Sequence, residues 1–206
     1  MAASTLTASS YAPPHRGWRH GPRSIRRCTH IASSRRCTSP RVVAARPSAS
    51  SREIRRRVMH IIEISTTDTY ALRLAVLREN TPTTNVSFPE DDWPGVTHLG
   101  VVDLAGAIVA TSSWVPRECA EHPGRRGVQL RGMATSKDLQ SNGVGGLLLE
   151  AGVQRHTEAG FELMWAKARD AAMGFYLRHH CEVLGEGFIE DATQLPHHIV
   201  VRHLRS

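Results

Sequence analysis

Cysteine is scarce in this chain of 206 residues, and its spacing excludes two kinds of stabilising site. The four cysteines are Cys28, Cys37, Cys119 and Cys181, and none belongs to a C-x-x-C pair or to a Cys/His set with zinc-ligand spacing. The sequence therefore supports neither a zinc site nor a disulfide framework. Apolar runs are also short, and none approaches the roughly 18 residues of a membrane-spanning helix. We predict a soluble protein of a reducing compartment, the cytoplasm, with no metal and no membrane partner.

Acidic residues are almost absent from the first part of the chain. Residues 1–57 contain thirteen Arg, no Lys and one acidic residue, Glu53, whereas residues 58–206 hold thirteen basic and eighteen acidic residues, a net charge of −5. The overall charge of +7 therefore originates in the leading segment. That segment is rich in Ser, Arg and Pro and has no helical or strand period, so we expect residues 1–58 to be disordered.

Three interpretations of residues 1–58 stay open, each with 59–206 as the folded domain. An acidic-poor leader rich in Ser and Arg resembles an organellar transit peptide, which would place the protein in an organelle. Because Met59 opens a strand-like segment, residues 1–58 could instead be an upstream extension that the cell does not translate. An Arg-rich arm could also bind nucleic acid through phosphates, although the negative charge of the remainder disfavours that partner. A twin-arginine signal at Arg26-Arg27 is excluded, since no apolar segment follows.

The pattern between residues 128 and 151 predicts a strand, a loop and a helix. Every second residue is small or apolar, at Val128, Leu130, Gly132 and Ala134, and this alternation is typical of a strand. A helical period is carried by Val144, Leu147, Leu148 and Ala151. Gly143 and Gly145 at the helix start would let other atoms approach amides that have no intrahelical partner, so the loop suits an anion such as a phosphate. It is not a P-loop, because no Gly-Lys-Ser/Thr follows, and it lacks the third glycine of a dinucleotide fingerprint.

The stretch 130–145 matches Gln/Arg-x-x-Gly-x-Gly/Ala and resembles the acyl-CoA-binding motif of the GCN5-related N-acetyltransferases, the GNAT superfamily. Trp165-Ala-Lys-Ala-Arg169 followed by Gly174-Phe-Tyr176 is similar to that family's next strand and helix. Gly185-Glu186 and Pro196-His197 fit its C-terminal strands. The resemblance covers residues 59–204. It implies an acetyl-CoA-dependent N-acetyltransferase that uses acetyl-CoA as co-substrate and acts on a small-molecule or peptide amine; a homodimer is left open.

The remaining patterns predict an α/β (α+β) fold with the element order β-α-β-β-β-α-β-α-β-β. Such an order gives a mixed, mostly antiparallel central sheet flanked by helices, in agreement with the GNAT-like acyl-CoA N-acyltransferase fold. Besides the strand and helix already described, the predicted strands are 58–64, 97–104, 107–115, 161–165, 182–189 and 197–203. The predicted helices are 68–78 and 171–179, and the predicted loops are 80–95 and 118–126.

The resemblance assigns the cofactor contacts to backbone groups. It places the thioester in a gap where the fourth and fifth strands splay apart. There, backbone groups would hold the pantetheine arm and polarise the carbonyl, because their dipoles are fixed before the reaction; these belong to Met133, Ala134 and Thr135. Gln140 would begin the pyrophosphate loop. The pyrophosphate would be held by the amides of Asn142, Gly143, Val144, Gly145 and Gly146.

Tyr176 is the predicted catalytic residue, and no general base is evident. The resemblance implies that the Tyr176 hydroxyl, with an ordinary pKa of about 10, protonates the leaving thiolate; a core aromatic on a helix is the alternative. The candidates for the base are His98, His122, His197 and Glu118, and deprotonation through water would need none of them. Neither Gln129 nor Arg131 is a base at neutral pH.

Two charged features and several departures from the family pattern qualify this prediction. The run Glu90-Asp91-Asp92 is favoured as part of a solvated loop, with attraction of a cationic amine as the alternative. Arg131 could bind an acceptor carboxylate, but a structural ion pair is favoured. Departures from the residues expected in the family occur at Asn142, Lys167, His180 and Cys181. They leave a second function open, a catalytically weak acyl-CoA-binding sensor on the same scaffold.

Overall fold

The structure is a computed structural model that describes residues 59–204. The predictions made for residues 1–58 lie outside the described residues, and so does the proposed domain boundary at Met59. None of the helices in the described range is long and apolar enough to cross a membrane.

Seven strands and three helical segments make up residues 59–204. The strands are β1 (His60–Glu63), β2 (Thr97–Val102), β3 (Ile108–Pro116), β4 (Gly127–Thr135), β5 (Leu163–Arg169), β6 (Glu182–Glu190) and β7 (Leu195–His203). The first helical segment, α1 (67–77), consists of a 3₁₀ turn (Thr67–Thr69), an α-helical turn (Tyr70–Leu72) and a π-helical turn (Arg73–Leu77). The others are α2 (Val144–Glu158) and α3 (Met173–Arg178), with 3₁₀ turns at Lys137–Leu139 and Asp170–Ala172.

All seven strands belong to one sheet, in the order β1-β2-β3-β4-β5-β7-β6. Every neighbouring pair is antiparallel except β4 and β5, which are parallel and are connected by α2. A parallel pair needs such a crossover because its strands run in the same direction. The predicted element order and the mixed, mostly antiparallel sheet are therefore confirmed.

The parallel pair β4–β5 separates soon after it begins. Its paired residues run only from Gly127 opposite Leu163 to Gln129 opposite Trp165, although β4 has nine residues and β5 has seven. Beyond these pairs the two strands diverge. The second half of β4 therefore turns a backbone edge toward a gap in the sheet.

A bulge in β4 changes the direction of this edge. Ser113 pairs with Arg131 and Thr111 pairs with Ala134, so β4 carries one more residue than β3 between these positions. Gly132 lies there with φ +56°, and a Cβ on it would come within 2.7 Å of Arg73 Nε. Glycine satisfies both the left-handed backbone and the close approach. The uninterrupted alternation predicted from Val128 to Ala134 is wrong at this point.

Helix α2 packs against the indole ring of Trp114 on the sheet, and only glycine fits on the helix where the two meet. Trp114 on β3 is fully buried, and a Cβ on Gly152 would lie 1.9 Å from its ring. The same ring stacks on His156, with 4.8 Å between centroids. Leu148 and Leu149 on α2 are fully buried in the main core. This packing fixes the start of α2 beside the end of β4.

Candidate active site

Two cavities meet beside the gap between β4 and β5. The first has a volume of about 550 Å³ and the second about 330 Å³, within the range of small-molecule sites. Five residues line both of them. They are Leu77, Met133, Arg169, Ala172 and Tyr176. The two cavities therefore adjoin at the place where the sheet opens.

Backbone groups at the start of α2 line the first cavity. Gly143 precedes the helix with φ +85°, a conformation that glycine adopts without strain. The first intrahelical bond runs from the Leu147 amide to the Gly143 carbonyl. The amides of Val144, Gly145 and Gly146 therefore have no earlier carbonyl within the helix to bond, and they form an anion-binding helix start.

Seven of the nine residues predicted to contact acetyl-CoA line this cavity. They are Met133, Ala134, Thr135, Gln140, Gly143, Gly145 and Gly146. Val144 is not among the lining residues, because its side chain is buried in the main core. The Gln140 side chain donates to the Thr135 carbonyl, 3.1 Å away, so it braces the loop.

Asn142 does not have the environment that the resemblance implied. Its backbone amide donates to the Leu139 carbonyl, and its side-chain amide donates to the Asp138 carbonyl. The Asn142 amide is therefore already engaged. Asn142 also does not line either cavity, and its contact with the pyrophosphate stays a prediction.

His179 is a lining residue of the first cavity that the sequence analysis did not identify. A Cβ placed on Gly146 would lie 2.8 Å from His179 Nε2, so the imidazole is close to the first turn of α2. Its other nitrogen, Nδ1, lies 3.1 Å from a carboxylate oxygen of Glu150, which also accepts from Arg202. His179 follows the last residue of α3, so no spacing within the glycine loop could have indicated it.

Tyr176 lies at the junction of the two cavities and is buried. Burial, with a smaller contribution from Cys181, raises the pKa of Tyr176 well above its ordinary value. The expectation of an ordinary pKa is therefore wrong, and the hydroxyl is protonated throughout the neutral range. No hydrogen bond joins this hydroxyl to another of residues 59–204, so it is available to a bound molecule.

The end of α3 fixes Tyr176 through its backbone. The Cys181 amide donates to the Tyr176 carbonyl, and the His180 amide donates to the Leu177 carbonyl, the pattern of a Schellman helix stop. His180 occupies its left-handed position with φ +60°, where glycine is usual. The departure at His180 therefore places a residue with a Cβ in a left-handed conformation, which is strained.

Neither cysteine within residues 59–204 is an activated nucleophile. Burial raises the pKa of the Cys181 thiol to about 11. Burial and a hydrogen bond to Glu121 raise the pKa of the Cys119 thiol to about 11 as well. Thiols with a raised pKa are poor nucleophiles at neutral pH, because the thiolate is the reactive form. Neither cysteine lines either of the two cavities.

The acidic run is not a solvated loop at Glu90 and Asp91. Asp91 is buried and pairs with Arg73, with two contacts of 2.6 and 2.8 Å. Glu90 is also buried and accepts from Arg117 and Arg131. Of the run, only Asp92 is exposed. The solvated-loop interpretation is thus wrong for Glu90 and Asp91, attraction of an amine stays an untested alternative, and the ion pair favoured for Arg131 is present.

Basic side chains dominate the charged lining of the second cavity. The lining residues with charged side chains are Arg78, Arg131, Lys167, Arg169 and Glu190. Lys167 pairs with Glu190 at 3.0 Å, so this departure from the family pattern belongs to the second cavity. No cluster of His, Cys, Asp and Glu within the described range is arranged to hold a metal ion.

Only one of the four candidate bases lines either cavity. His98 uses both ring nitrogens, with Ser113 on Nδ1 and the Asp91 carbonyl on Nε2. Glu118 accepts from the Gly124 amide. His197 lines the second cavity, and its Nδ1 lies 2.8 Å from the Leu195 carbonyl. Because a carbonyl only accepts, Nδ1 is the donor in this contact, and in a neutral ring Nε2 would be the accepting nitrogen.

His122, the remaining candidate, lies away from both cavities. Its ring meets that of His203 edge to face, with 5.5 Å between centroids. Its Nε2 is buried and has no hydrogen-bond partner in the described part of the chain. This contact gives His122 no access to the gap between β4 and β5.

Comparison with known proteins agrees with this arrangement. The model of the acetyltransferase (GNAT) family matches residues 60–180, more than half of the chain. The protein therefore belongs to the GNAT family of acetyltransferases. In sequence it is similar to the uncharacterized N-acetyltransferase YitI of Bacillus subtilis (strain 168), with 28% identity over 144 residues that span 70% of this chain and 95% of YitI.

Solved structures show the same fold at low sequence identity. A GNAT-family acetyltransferase from Staphylococcus aureus Mu50 has a TM-score of 0.58 and 16% identity, covering 72% of this chain and 100% of that protein. An aminoglycoside 6′-N-acetyltransferase complexed with coenzyme A has a TM-score of 0.56 and 12% identity, covering 71% of this chain and 98% of that protein. At these identities the likeness concerns the fold alone.

Proposed function

We propose that residues 59–206 catalyse the transfer of an acetyl group from acetyl-CoA to a primary amine, by direct attack of the amine on the thioester. The observation that supports this most is the position of Tyr176 on both cavities at the opening between β4 and β5. A protected proton donor at this junction suits a reaction in which one cavity holds the donor and the other holds the acceptor.

The first cavity fits the acyl donor through its backbone. The amides of Val144, Gly145 and Gly146 would hold the pyrophosphate, with the left-handed Gly143 leaving room for it. His179 beside Gly146 would add a polar contact from a second element. Acetyl-CoA supplies an activated acetyl group when bound. The edge of β4 that faces the gap, from Met133 to Thr135, would hold the pantetheine arm and polarise the carbonyl with fixed dipoles, although the Thr135 carbonyl already accepts from Gln140.

Tyr176 and His197 are the residues we propose for proton transfer. As the C–N bond forms and the C–S bond breaks, the amine loses a proton and the sulfur gains one. His197 Nε2, the accepting nitrogen of the neutral ring, accepts the amine proton directly or through a water molecule. Tyr176 gives its proton to the sulfur as negative charge develops there.

A thiol-release assay tests the proposal. The full chain is incubated with acetyl-CoA and a panel of primary amines, and free thiol is followed together with the mass of the acetylated amine. We expect amine-dependent release, and we expect His197→Asn to lower kcat/KM more at neutral pH than at alkaline pH, where more of the amine is already unprotonated. Tight acetyl-CoA binding with no release for any amine would contradict transfer and favour the sensor.

A further inference from the structure

The second cavity carries positive charge that the described residues leave unpaired. Two of its basic side chains have carboxylate partners, Arg131 with Glu90 and Lys167 with Glu190. Glu90 is further shared with Arg117, which lies outside the cavity. Within residues 59–204, Arg78 and Arg169 have no carboxylate at ion-pair distance. Two of the four basic side chains that line the cavity therefore have no carboxylate partner among the described residues.

Arg78 and Arg169 are held in place by backbone carbonyls. Arg78 donates through Nε to Asn85, and Arg169 donates through one terminal nitrogen to Leu77. These bonds leave both terminal nitrogens of Arg78 without a partner in the described chain. Burial, followed by the charges of Arg169, Arg73 and Arg131, lowers the pKa of Arg78. The guanidinium groups thus repel one another, and a bound anion would relieve that repulsion.

A neutral donor without a partner lines the same cavity. Thr193 lies in the turn between β6 and β7 and lines this cavity. The residue is buried, with only 7% of its surface exposed. Its hydroxyl oxygen is buried and has no hydrogen-bond partner among the residues that the structure describes. A buried hydroxyl without a partner costs free energy, and an anion with several acceptor oxygens would satisfy it together with Arg78 and Arg169.

We infer that the amine acceptor carries an anionic group, a carboxylate or a phosphate, which Arg78, Arg169 and the Thr193 hydroxyl bind in the second cavity. This inference rests on the proposed function and specifies its substrate class. The acceptor would be an amine with a separate negative charge, so that the anion anchors one end while the amine reaches the opening beside Tyr176. Polycationic amines would be repelled from the same cavity.

Arg78 separates the acceptor from coenzyme A as the source of the anion. Arg169 lines both cavities, so its loss could affect either molecule, whereas Arg78 lines only the second. Arg155 provides a matched control, because it is an exposed arginine paired with Glu63 and lines neither cavity. Arg155→Gln changes the net charge by the same amount as Arg78→Gln.

The first experiment measures binding without turnover. The full chain is saturated with coenzyme A and titrated calorimetrically with glutarate, with inorganic phosphate and with the neutral analogue glutaramide. Losing a charge-assisted contact should weaken the preferred anion roughly ten- to a hundredfold in Arg78→Gln. Arg155→Gln should bind as the wild type does, and glutaramide should not bind. An absence of anion binding in the wild type, or equal weakening in both variants, would overturn the inference.

The second experiment compares matched acceptors. The pairs are ω-amino acids of increasing length against their amides, and ethanolamine phosphate against ethanolamine. The wild type should prefer the charged member of at least one pair, and Arg78→Gln should reduce that preference roughly tenfold or more while acetyl-CoA affinity is unchanged. The carboxylate and phosphate pairs show which anion is used. A fall in acetyl-CoA affinity without a change of preference would assign Arg78 to coenzyme A instead.

These outcomes separate the inference from the proposed function. If amines are acetylated but the neutral members react faster, the inference fails and acetyl transfer stands. If no amine releases thiol, acetyl transfer fails, and the anion titration still decides whether the cavity binds anions.

Discussion

The two cavities are built from different parts of the chain. Half of the residues that line the first lie in one stretch, from Met133 to Gly146, which presents fixed backbone groups. The second gathers charged side chains from β4, β5, β6 and the loop after α1. Backbone dipoles at a helix start suit a phosphate that is the same in every reaction. Side chains, in contrast, can be replaced by single substitutions, which would change the molecule that the cavity binds. The comparison suggests that the first cavity serves a common co-substrate and the second determines the acceptor.

The largest expected effect concerns the ion pair that supports the second cavity. Replacing Asp91 with alanine leaves the fully buried Arg73 without its carboxylate. An uncompensated buried charge typically costs about 3–5 kcal/mol of stability. We expect chemical denaturation of Asp91→Ala to show a loss of this size. The neighbouring Asp92→Ala should cost little, because Asp92 is exposed; equal effects would show that Asp91 is not structurally important.

The next effect tests the backbone character of the first cavity. Gly143→Asp places bulk and a negative charge beside the proposed pyrophosphate site. A ligand at 100 times its dissociation constant stabilises the folded state by about 2.7 kcal/mol, and this variant should lose most of that stabilisation by acetyl-CoA in a thermal shift assay. Gly143→Asn, of similar shape but neutral, should retain more. An unchanged shift in Gly143→Asp would remove the loop from the binding site.

A smaller expected effect is the contribution of Glu90 to the free energy of unfolding, which depends on pH. Burial acts to raise the pKa of Glu90, but the hydrogen bond from Arg117 and the charge of Arg131 outweigh it, so the pKa is lowered. Ionised Glu90 therefore stabilises the folded state fully above the ordinary carboxyl pKa of about 4.3. This stabilisation is lost as the pH falls through the lowered pKa of Glu90 in the folded state. Glu90→Gln should cost about 1–2 kcal/mol at neutral pH.

The pH dependence of that difference is its check. In urea unfolding at a series of pH values, wild type and Glu90→Gln should converge under strongly acidic conditions, where Glu90 is protonated. Glu79→Gln provides the control, because Glu79 forms an exposed pair with Lys137, and such pairs contribute little. A constant difference between Glu90→Gln and wild type at all pH values would mean that Glu90 acts by packing and not by charge.

The smallest effect relates to the helix stop that holds Tyr176. His180 is left-handed, which costs a residue with a Cβ roughly 1–2 kcal/mol; glycine avoids that cost but loses more entropy on folding. His180→Gly should therefore gain up to about 1 kcal/mol, measured by thermal unfolding. His180→Ala keeps the Cβ and should gain nothing. A gain in His180→Ala would point to the imidazole and not to backbone strain.

The contrast between a cavity built from neighbouring residues and one built from distant segments also explains what the sequence could predict. The first cavity follows from a short run of glycines after an alternating strand, so its location was evident from neighbouring residues. The β4 bulge was missed because the alternation gives no sign of an extra residue opposite Thr111 and Ser113. The pairing of Asp91 with Arg73 was missed because the two residues lie eighteen positions apart in a loop and a helix. His179 was missed for a similar reason, since only the packing of α3 on α2 brings it to Gly146.

The measurement that tests acetyl transfer most directly is the single-turnover rate of thiol release by Tyr176→Phe, made beside its acetyl-CoA dissociation constant. Phenylalanine retains the buried ring and removes only the proton donor. General acid catalysis contributes roughly 10²–10⁴-fold, so we predict a decrease of at least about tenfold with the dissociation constant nearly unchanged. Tyr70→Phe, which lines neither cavity, should turn over normally. A normal rate in Tyr176→Phe would contradict the account and leave Tyr176 as a core aromatic.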